Sequence, residues 1–557
     1  MRRIKILLGV STLAWVGLVI RLFYWQVGSF QKLFLEARNQ HLEKEEISSP
    51  RGTIFSSDNF PLVLSKRVYS LFIQPNQIDN PQEVYKKINQ ILPQDQKSFF
   101  EVVSNKKINW YPLAKGISPT VKESLENQKI PGIGFEPQWS RFYPEASMAA
   151  NLLGFVGGDE NGNEKGYFGL EGFYDRELKG ISGWRFWERD LFGRPIIIGQ
   201  EWGRQSKAGR DLYLYLDRSV QFLVENELKE GIKKYGAISG SVVVMDPLFG
   251  GILAMASFPS FDPANFAKED KSNFPNPVVS FNFEPGSVFK PIVMAMAIDL
   301  GLVNPSTVCD SCSGPVMVGE HLIKTWNEKY YPNSTMTEII QHSDNVGMVF
   351  VGRKVGIKNF VNYWEKFGFG KKTGIDLEGE SASFIREKNS WKEIDLATAS
   401  FGQGIAVTPI QLTRAIAAFA NGGKLITPKV VKKIKDGEKE IWLNNGEEKQ
   451  IIRPITAKVI TQMMVNAVEK GEAKWAKPKG HKIAGKTGTA QIPVAGHYDE
   501  EKTIASFVGF APANDPKFVM LVTLREPKTS PWGSETAAPL WFEIAKGIFQ
   551  IWGIPPS

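Results

Sequence analysis

Hydrophobic and polar positions change their spacing twice along this chain of 557 residues, and each change marks a different kind of structure. Residues 4–27 are almost continuously apolar. Between about 47 and 230, short apolar runs alternate with turns rich in Gly, Pro, Asn and Asp, which is typical of a loop-rich domain built from β-strands. The rest mixes apolar stretches at helical spacing with short strands. The chain is too long for one ordinary core, so we predict an N-terminal helix and two further domains.

The C-terminal part, from about residue 237, is predicted to contain an antiparallel sheet with helices, and we assign it to the α+β class. Two β-rich runs around a Pro/Gly turn in 240–257 predict a hairpin, and 503–527 predicts two more strands around an Asn-Asp-Pro turn. Residues 219–236 have helical spacing and end on a glycine, which predicts a connector helix. Residues 538–553 predict a closing amphipathic helix.

The apolar run at the N-terminus has the length and flanks of a membrane anchor. It follows the basic start MRRIK and approaches the ~20 residues that a spanning helix needs. Tyr24 and Trp25 suit the far interface, and the basic start predicts a cytoplasmic N-terminus with the rest of the chain outside. The alternative is a cleaved signal peptide, but RLFYWQVGSF is bulky and lacks an A-x-A-like site. We therefore expect an uncleaved, single-pass anchor in the membrane.

Charge and cysteine content narrow the function classes. The net charge of +8 is spread along the chain without a long basic block, so we expect no nucleic-acid partner. Cys309 and Cys312, in VCDSCSG, are the only cysteines. The five histidines do not supply the ligands that would complete a zinc site, and we expect no metal. A local disulfide and two unpaired thiols both remain open.

A serine and a lysine three residues apart mark the start of a buried helix. In EPGSVFKPIVMAMAIDLG, Ser287 precedes Lys290, and Pro291 is tolerated only near a helix start. Residues at i and i+3 share a helix face, so we expect the amine beside the hydroxyl. A lysine whose pKa is lowered can activate such a serine, and a helix N-terminus suits an oxyanion. The pattern predicts a nucleophile for acyl transfer.

The S-x-x-K pattern alone is weak, because it also occurs in the polar segments SFQK at 29–32 and SNKK at 104–107. Two further motifs follow Ser287 in order, SDN at 343–345 and KTGT at 486–489. Each of these two motifs occurs at a second position as well, SDN at 57–59 and KTG at 372–374, and these second copies serve as decoys. The copy at 486 follows residues that are typical of a β-strand and is flanked by small residues, so a substrate could lie against its backbone. Three motifs in order and in suitable contexts favour one active site.

The set SVFK, SDN and KTGT resembles the motifs of penicillin-binding proteins and serine β-lactamases. Five further segments narrow the resemblance to the class B penicillin-binding proteins, which are membrane-anchored peptidoglycan D,D-transpeptidases: RGTIF (51–55), RFYP (141–144), GLEGFYDREL (169–178), FGQGIAVTPIQL (401–412) and SFVGFAP (506–512). The resemblance covers nearly the full length. One departure is SSDN at 56–59, where the family usually has an Asp-Arg-Asn-Gly-like turn. It affects the non-catalytic domain between membrane and enzyme, called the pedestal, and leaves the catalytic motifs unchanged.

The resemblance implies a division of the chain into three parts. These are a cytoplasmic tip and transmembrane anchor at 1–27, a stalk, elongated β-rich pedestal and connector at 28–236, and a transpeptidase domain at 237–557. It also implies a bacterial cell membrane as the location, a membrane glycosyltransferase as partner, and no cofactor. The segment EPGSVFK is slightly more similar to division-type than to elongation-type members.

The resemblance further implies roles for the motif residues. Ser287 attacks the penultimate D-alanine of a peptidoglycan stem peptide ending in D-Ala-D-Ala, and Lys290 takes its proton. Ser343 passes a proton to the leaving amine, and Asn345 holds Lys290 and the substrate amide. Lys486 supplies a positive field that keeps Lys290 neutral. β-Lactams acylate the same serine.

The KTGT segment is implied to bind the substrate carboxylate through the hydroxyls of Thr487 and Thr489, with Gly488 between them. The backbone N–H groups of Ser287 and Thr489 would form the oxyanion hole. An amine from a neighbouring strand would then attack the acyl-enzyme and complete the cross-link.

Two alternatives belong to other classes of protein. A serine β-lactamase would need a base to hydrolyse the acyl-enzyme, such as the glutamate of an E-x-x-L-N pattern, and we expect none between 345 and 486. A scaffold without activity would not need the intact motif set. His342 and His481 lie beside motifs, but sequence neighbours point to different faces, so we expect neither to be catalytic. Arg51 and Glu171 are expected to be structural charges of the pedestal.

Overall fold

A computed structural model describes residues 1–188, 202–387, 390–443, 446, 448–494 and 497–556. The chain forms two compact units that interleave along the sequence. The first unit contains residues 1–50, 67–139 and 180–209, and the second contains 51–66, 140–179 and 210–557. The domain boundaries expected at residues 28 and 237 stay predictions.

The first unit begins with the helix Arg2–Phe23, which continues into a π-helical turn at Tyr24–Gly28. Together they are long and apolar enough to cross a membrane, and the helix buries none of its residues in the protein. This fits the predicted single-pass anchor, since an apolar surface that no protein covers requires another apolar environment. The helix Phe30–His41 follows.

The remainder of the first unit is more helical than its sequence pattern predicts. Helices Pro81–Ile91, Gln96–Ser104 and Pro119–Asn127 enclose an apolar core that includes Leu71 and Ile88. Residues 69–73 of the strand Pro61–Ile73 pair with Tyr111–Ile117, and Ile133–Phe142 also pairs with that strand. A second sheet has the strand order Leu42–Ile47, Gly183–Glu188, Trp202–Arg204.

The part of the second unit outside the large sheet is organised by buried charges. Arg51 contacts Glu171 and Asp175, each at 2.8 Å, and Arg141 Nε donates to Glu171 Oε1 at 2.7 Å. Arg51 and Glu171 are buried, so the structural role expected for them is consistent with their contacts. The neighbouring short elements are the strands Ile54–Phe55, Phe155–Gly158, Glu164–Tyr167, Asp211–Leu214, Val431–Asp436 and Lys439–Trp442 and the helices Ala150–Leu153, Gly169–Phe173 and Asp175–Leu178.

A five-stranded antiparallel sheet forms the centre of the second unit. Its strands lie in the order Ile252–Phe258, Ser239–Met245, Phe518–Arg525, His497–Ala511, Ala484–Val494. The predicted hairpin in 240–257 and the two predicted strands in 503–527 are therefore confirmed. The strand Ala484–Val494, which carries KTGT, is an edge strand of this sheet.

Helices cover both faces of the five-stranded sheet. On one face lie the predicted connector, Arg218–Tyr235, which ends at Gly236, and the predicted C-terminal helix, Ala537–Ile551. The other face packs on helices that include Lys290–Asp299, which is buried from Lys290 to Ile298. The remaining helices of the unit are Pro277–Ser280, Met336–His342, Asn345–Lys366, Glu393–Ser400, Pro409–Ala420 and Pro454–Lys470. The arrangement confirms the α+β class.

The two cysteines form a disulfide, with the sulfur atoms of Cys309 and Cys312 2.02 Å apart. Both residues are buried. Of the two alternatives left open by the sequence, the structure therefore contains the local disulfide. It lies in the segment that precedes the small hairpin Val316–Val318/His321–Ile323.

Candidate functional site

The turn that carries Ser287 joins a loop to a buried helix. Residues Gly286–Phe289 form a 3₁₀ turn, and the α-helix continues from Lys290 with Pro291 in its first turn, where no backbone donor is needed. Ser287 is partly exposed while its neighbours Gly286 and Val288 are buried. The serine hydroxyl is thus available to a ligand on a rigid support.

The turn that carries Ser287 rests on a second loop through two glycines. The Gly286 N–H donates to the Gly402 carbonyl at 2.9 Å. A Cβ atom on Gly402 would lie 2.1 Å from the Gly286 oxygen, which no real contact allows, and Gly402 also has a positive φ of 85°. The segment FGQG around residue 402 therefore supports Ser287 by backbone contact alone.

Lys290 is fully buried and its amine is directed at the SDN turn. Its Nζ donates to the Ser343 carbonyl, to Ser343 Oγ at 3.3 Å and to Asn345 Oδ1 at 2.7 Å. In the part of the chain that the structure describes, no hydrogen bond joins Lys290 to the Ser287 hydroxyl. The expected juxtaposition of Lys290 with Ser343 and Asn345 is present, whereas the amine is directed at the SDN turn and not at the Ser287 hydroxyl.

The SDN turn joins the helices Met336–His342 and Asn345–Lys366. Ser343 has left-handed backbone angles (φ 56°, ψ 38°), which are unusual for a residue other than glycine and frequent at functional sites. Asp344 caps the second helix by accepting the Gly347 N–H at 3.2 Å, and burial raises the pKa of its carboxyl. The tight connection directs the side chains of Ser343 and Asn345 to Lys290.

Lys486, on the edge strand, completes the array. Its Nζ donates to Ser343 Oγ at 2.9 Å and to Thr487 Oγ1 at 3.2 Å. The Ser343 hydroxyl is therefore hydrogen-bonded to both buried lysines. Because Ala484–Val494 is an edge strand, one side of its backbone lacks a partner strand in the sheet and can pair with an extended peptide.

Burial lowers the pKa values of both lysines, and repulsion by Lys486 lowers that of Lys290 further. For Lys290, burial is the main cause, and the Lys486 charge lowers its pKa further, so the pKa falls well below 10.5. Burial also lowers the pKa of Lys486, to about 8, while the Glu472 charge acts in the opposite direction. The charge of Lys486 thus favours loss of the proton from Lys290, whereas the charge of Glu472 favours retention of the proton on Lys486.

The other KTGT residues line the cleft beside the lysines. Thr489 Oγ1 accepts the Gly533 N–H at 2.9 Å, so its own hydrogen is free to donate. Gly488 must lack a side chain, because a Cβ atom there would lie 2.6 Å from Ser506 Oγ and 2.8 Å from Val288. The strand thereby closely approaches the turn that carries Ser287.

One cleft of about 640 Å³ contains these groups. Its lining includes Ser287, Ser343, Asn345, Thr487, Gly488 and Thr489, so the structure brings together the three motifs that the sequence singled out. Trp326 and Trp532 also line the cleft, with ring centroids 4.8 Å apart. This aromatic pair was not predicted from the sequence, since its two members lie far apart along the chain.

Glu472 is a second residue of the cleft that the sequence motifs did not indicate. It lies just after the helix Pro454–Lys470, lines the cleft, and accepts a hydrogen bond from Thr487 Oγ1 at 3.3 Å. In the sequence it is one charge among several in EKGEAK, and such a run usually indicates a solvated surface. Only the fold shows that this carboxylate faces the site.

The decoy KTG motif and the two histidines have other contacts. Lys372 is exposed, and the hydroxyl of Thr373 in the second KTG copy donates to Glu380 at 2.5 Å. His342 stacks on Tyr331, and His481 stacks on Phe549. Among the described residues, no group of three or more His, Cys, Asp or Glu side chains is arranged to hold a metal ion.

The expectation about the E-x-x-L-N pattern was wrong, because the string occurs at residues 440–444. Glu440 lies on the strand Lys439–Trp442 and its carboxylate pairs with Lys433 at 2.6 Å. This pair is partly exposed, and Glu440 is not among the residues that line the cleft. The pattern therefore gives the described cleft no base for hydrolysis.

Comparison with known families identifies the domains. The family described as "Penicillin binding protein transpeptidase domain" matches residues 240–550. The family described as "Penicillin-binding Protein dimerisation domain" matches residues 46–214. The first match contains the three motifs and the cleft.

Two relatives match over the full length of this chain. Stage V sporulation protein D of Bacillus subtilis is 32% identical over 564 residues, which cover 100% of this chain and 86% of the relative. Peptidoglycan D,D-transpeptidase FtsI of Escherichia coli is 31% identical over 564 residues, which cover 100% of this chain and 92% of the relative.

Solved structures share the fold. Penicillin binding protein 2X from Streptococcus thermophilus superimposes with a TM-score of 0.77 at 24% identity, over 92% of this chain and 80% of that chain. A peptidoglycan synthetase from Bifidobacterium adolescentis superimposes with a TM-score of 0.74 at 26% identity, over 93% of this chain and 98% of that chain. The fold is thus that of a known group of proteins.

Proposed function

The chain belongs to the class B penicillin-binding proteins, and we propose that Ser287 is the nucleophile of its peptidoglycan D,D-transpeptidase reaction. The observation that carries this assignment is the hydrogen-bonded array in which Lys290 and Lys486 share the Ser343 hydroxyl, in the cleft that Ser287 lines. The three motifs supply a nucleophile, a base of lowered pKa and a fixed cation. The enzyme cross-links the cell wall and is acylated by β-lactams.

The acylation step moves one proton and exchanges one bond. Ser287 Oγ attacks the carbonyl carbon of the penultimate D-alanine, and Lys290 accepts the hydroxyl proton. The C–N bond to the terminal D-alanine then breaks, Ser343 passes its hydroxyl proton to the departing amine, and Lys290 returns the accepted proton to Ser343. The hydrogen bonds from Lys290 and Lys486 to the Ser343 hydroxyl support this proton path.

The deacylation step uses the amine of a second stem peptide. That amine attacks the ester carbonyl and Lys290 takes its proton. The ester C–O bond to Ser287 Oγ then breaks, and Lys290 returns the proton to this oxygen as the new amide forms. Water would give hydrolysis in place of cross-linking, and the described cleft offers no glutamate in the E-x-x-L-N position to activate it.

The carboxylate of the donor peptide is proposed to lie against KTGT. The free hydrogen of the Thr489 hydroxyl and the charge of Lys486 support this placement. Thr487 is proposed to contribute through its hydroxyl, and Asn345 through its amide. The backbone N–H groups of Ser287 and Thr489 are proposed as the oxyanion hole, with the edge position of the strand in support.

The topology is proposed to place residues 28–557 outside the cytoplasm, because the basic start MRRIK precedes the apolar helix. A reporter fused after Gly28 should then be active only outside the cytoplasm. Cytoplasmic reporter activity, or a mature chain that starts near residue 28, would exclude this arrangement.

The proposed partner is a membrane glycosyltransferase. The resemblance of EPGSVFK to division-type members favours a partner of the division machinery over one of the elongation machinery. Co-purification from membranes tests for this partner.

A fluorescent penicillin tests the nucleophile. Ser287→Ala should abolish covalent labelling and leave the thermal midpoint nearly unchanged, because a partly exposed hydroxyl contributes little packing. Ser104→Ala, in the S-x-x-K decoy at 104–107, is the matched control and should label like the wild type. Labelling that persists in Ser287→Ala would show that another residue is acylated. Rapid loss of the label from the wild type would indicate a β-lactamase, and no label at all would indicate a scaffold.

A further inference from the structure

Glu472 places a carboxylate next to the proposed carboxylate-binding threonine. Its Oε2 accepts the hydrogen bond from Thr487 Oγ1. Its Oε1 is buried from solvent and has no hydrogen-bond partner among the residues that the structure describes. A buried carboxylate oxygen of this kind is retained only where a nearby positive charge compensates it.

The Thr487 hydroxyl links this carboxylate to the positive charge of Lys486. Lys486 Nζ donates to Thr487 Oγ1, and Thr487 Oγ1 donates in turn to Glu472. A threonine hydroxyl has one hydrogen, so this chain runs from ammonium to hydroxyl to carboxylate, and Thr487 donates to a substrate carboxylate only after it releases Glu472. Hydrogen bonds in such a chain polarise one another, and the arrangement is favourable only while Lys486 keeps its proton.

The other charges that influence the two buried lysines come from two segments. The charges of Asp344 and Glu472 raise the pKa of Lys290, and the charge of Glu472 also raises that of Lys486. His342 acts through Asp344, because its charge lowers the pKa of that carboxyl against the effect of burial. The paired strand His497–Ala511 places the apolar Val508 opposite Lys486.

We propose that Glu472 is a positioning residue for the transpeptidase reaction: through the Thr487 hydroxyl it holds Lys486 as an ammonium ion hydrogen-bonded to Ser343. This role rests on the proposed function of the cleft. The Lys486 charge in turn acts on the base Lys290, so Glu472 influences the chemistry without contact with the reacting atoms.

The sign of the Glu472 charge sets the direction of the expected effect. This charge raises the pKa of Lys486 against the effect of burial, which leaves it at about 8. Loss of the carboxylate charge should lower that pKa further, so that Lys486 becomes neutral at a lower pH. A neutral Lys486 neither attracts the substrate carboxylate nor holds down the pKa of Lys290, and acylation should slow.

The test measures the second-order rate of acylation by one penicillin, from pH 6 to 10, for the full chain in detergent micelles. In the wild type the rate should fall on the alkaline side near pH 8. In Glu472→Gln and in Glu472→Thr, neither of which has a charge, this fall should move to lower pH by roughly half a unit or more, with rates at pH 6 within about threefold of the wild type. Glu472→Asp keeps the charge and should retain the alkaline limb of the wild type.

The matched control is Glu469→Gln, because Glu469 precedes Glu472 by three residues but pairs with Lys477 at the surface. It should leave the pH profile unchanged. An unmoved alkaline limb in both uncharged variants overturns the proposal, whether or not their rates fall uniformly, and so does faster acylation at every pH, which would mean that Glu472 competes with the substrate carboxylate. A wild type that is not labelled at Ser287 would refute the proposed function instead.

Discussion

Lys486 donates a hydrogen bond of 2.9 Å to the hydroxyl of Ser343, 143 residues earlier in the chain. The same hydroxyl accepts from Lys290, so it is the point at which all three motifs meet. Two lysines that share one acceptor in a buried site cannot both stay charged without a large penalty. The lowered pKa of Lys290 therefore follows in part from where Lys486 lies.

Substitution of Lys486 should distinguish the two KTG copies. Lys486→Ala removes the cation beside Lys290. It also removes the proposed charge-assisted contact with the substrate carboxylate, worth on the order of 1.5–3 kcal/mol. The second-order acylation rate with one penicillin should therefore fall roughly ten- to a hundredfold. Lys372→Ala removes an exposed lysine of the decoy copy and should change the rate by less than about threefold. A large loss at Lys372 with a small one at Lys486 would reverse the assignment.

The stability of the folded chain should rise with pH above the pKa of Lys486. Between about 8, its folded pKa, and 10.5, its ordinary value, the unfolded chain binds a proton that the folded chain does not. The contribution of Lys486 to the free energy of unfolding therefore increases with pH across this range. Below pH 8 the burial of its ammonium group destabilises the folded chain in full.

Urea unfolding at several pH values, with tryptophan fluorescence as the signal, measures this effect. From pH 8 to 10.5, the free energy of unfolding of the wild type should rise relative to that of Lys486→Met by an amount on the order of 3 kcal/mol. Lys372→Met, which removes a solvent-exposed lysine, is the control. A constant difference between wild type and Lys486→Met across this pH range would contradict the prediction.

The charge cluster around Glu171 should be sensitive to removal of a single charge. Glu171→Gln leaves the buried Arg51 with one carboxylate fewer and Arg141 without its ion pair. Loss of one partner in a buried ion pair is expected to destabilise by about 3–5 kcal/mol, measured by thermal or urea unfolding. Glu448→Gln breaks the exposed pair with Lys424 and should shift the midpoint little. Equal effects of the two substitutions would argue against a structural role for the cluster.

Gly488 should not tolerate a methyl group. The Cβ atom of Gly488→Ala would lie within 2.8 Å of both Ser506 Oγ and Val288 Cγ1. The strand must therefore move away from the turn that carries Ser287. We expect a loss of about 1–3 kcal/mol in stability and a slower acylation rate. Gly314→Ala is the control, because a Cβ atom there meets nothing within 4 Å and its φ is ordinary. Normal acylation by Gly488→Ala would mean that the strand does not depend on this close approach.

The three motifs that line the cleft could be predicted from the sequence because local chemistry sets their context. Pro291 indicates the helix start that supports Ser287, and small residues on a strand-like segment distinguish the KTGT copy at 486–489. Glu472 could not be predicted in this way. Its partner Thr487 lies 15 residues away, and only the packing of a strand against a helix end joins them.

The helices of the first unit were missed for a related reason. Asn80, Asp95 and Ser118 each accept a backbone N–H at a helix start, and Pro81 and Pro119 occupy first helical positions. The same residue types favour turns, so the sequence pattern alone indicated loops between strands. The choice between a turn and a helix start depends on whether the next residues bury an apolar face.

The order of strands in the large sheet has a consequence for how the protein is made. Ser241 and Thr523 lie on paired strands although they are 282 residues apart, and the strand Ser239–Met245 is almost entirely buried in the finished sheet. During synthesis at roughly 5–20 residues per second, one edge of that strand has no partner for tens of seconds. An apolar strand with an open edge pairs readily with other chains, so the growing polypeptide has to be kept apart from its neighbours until its last strands arrive.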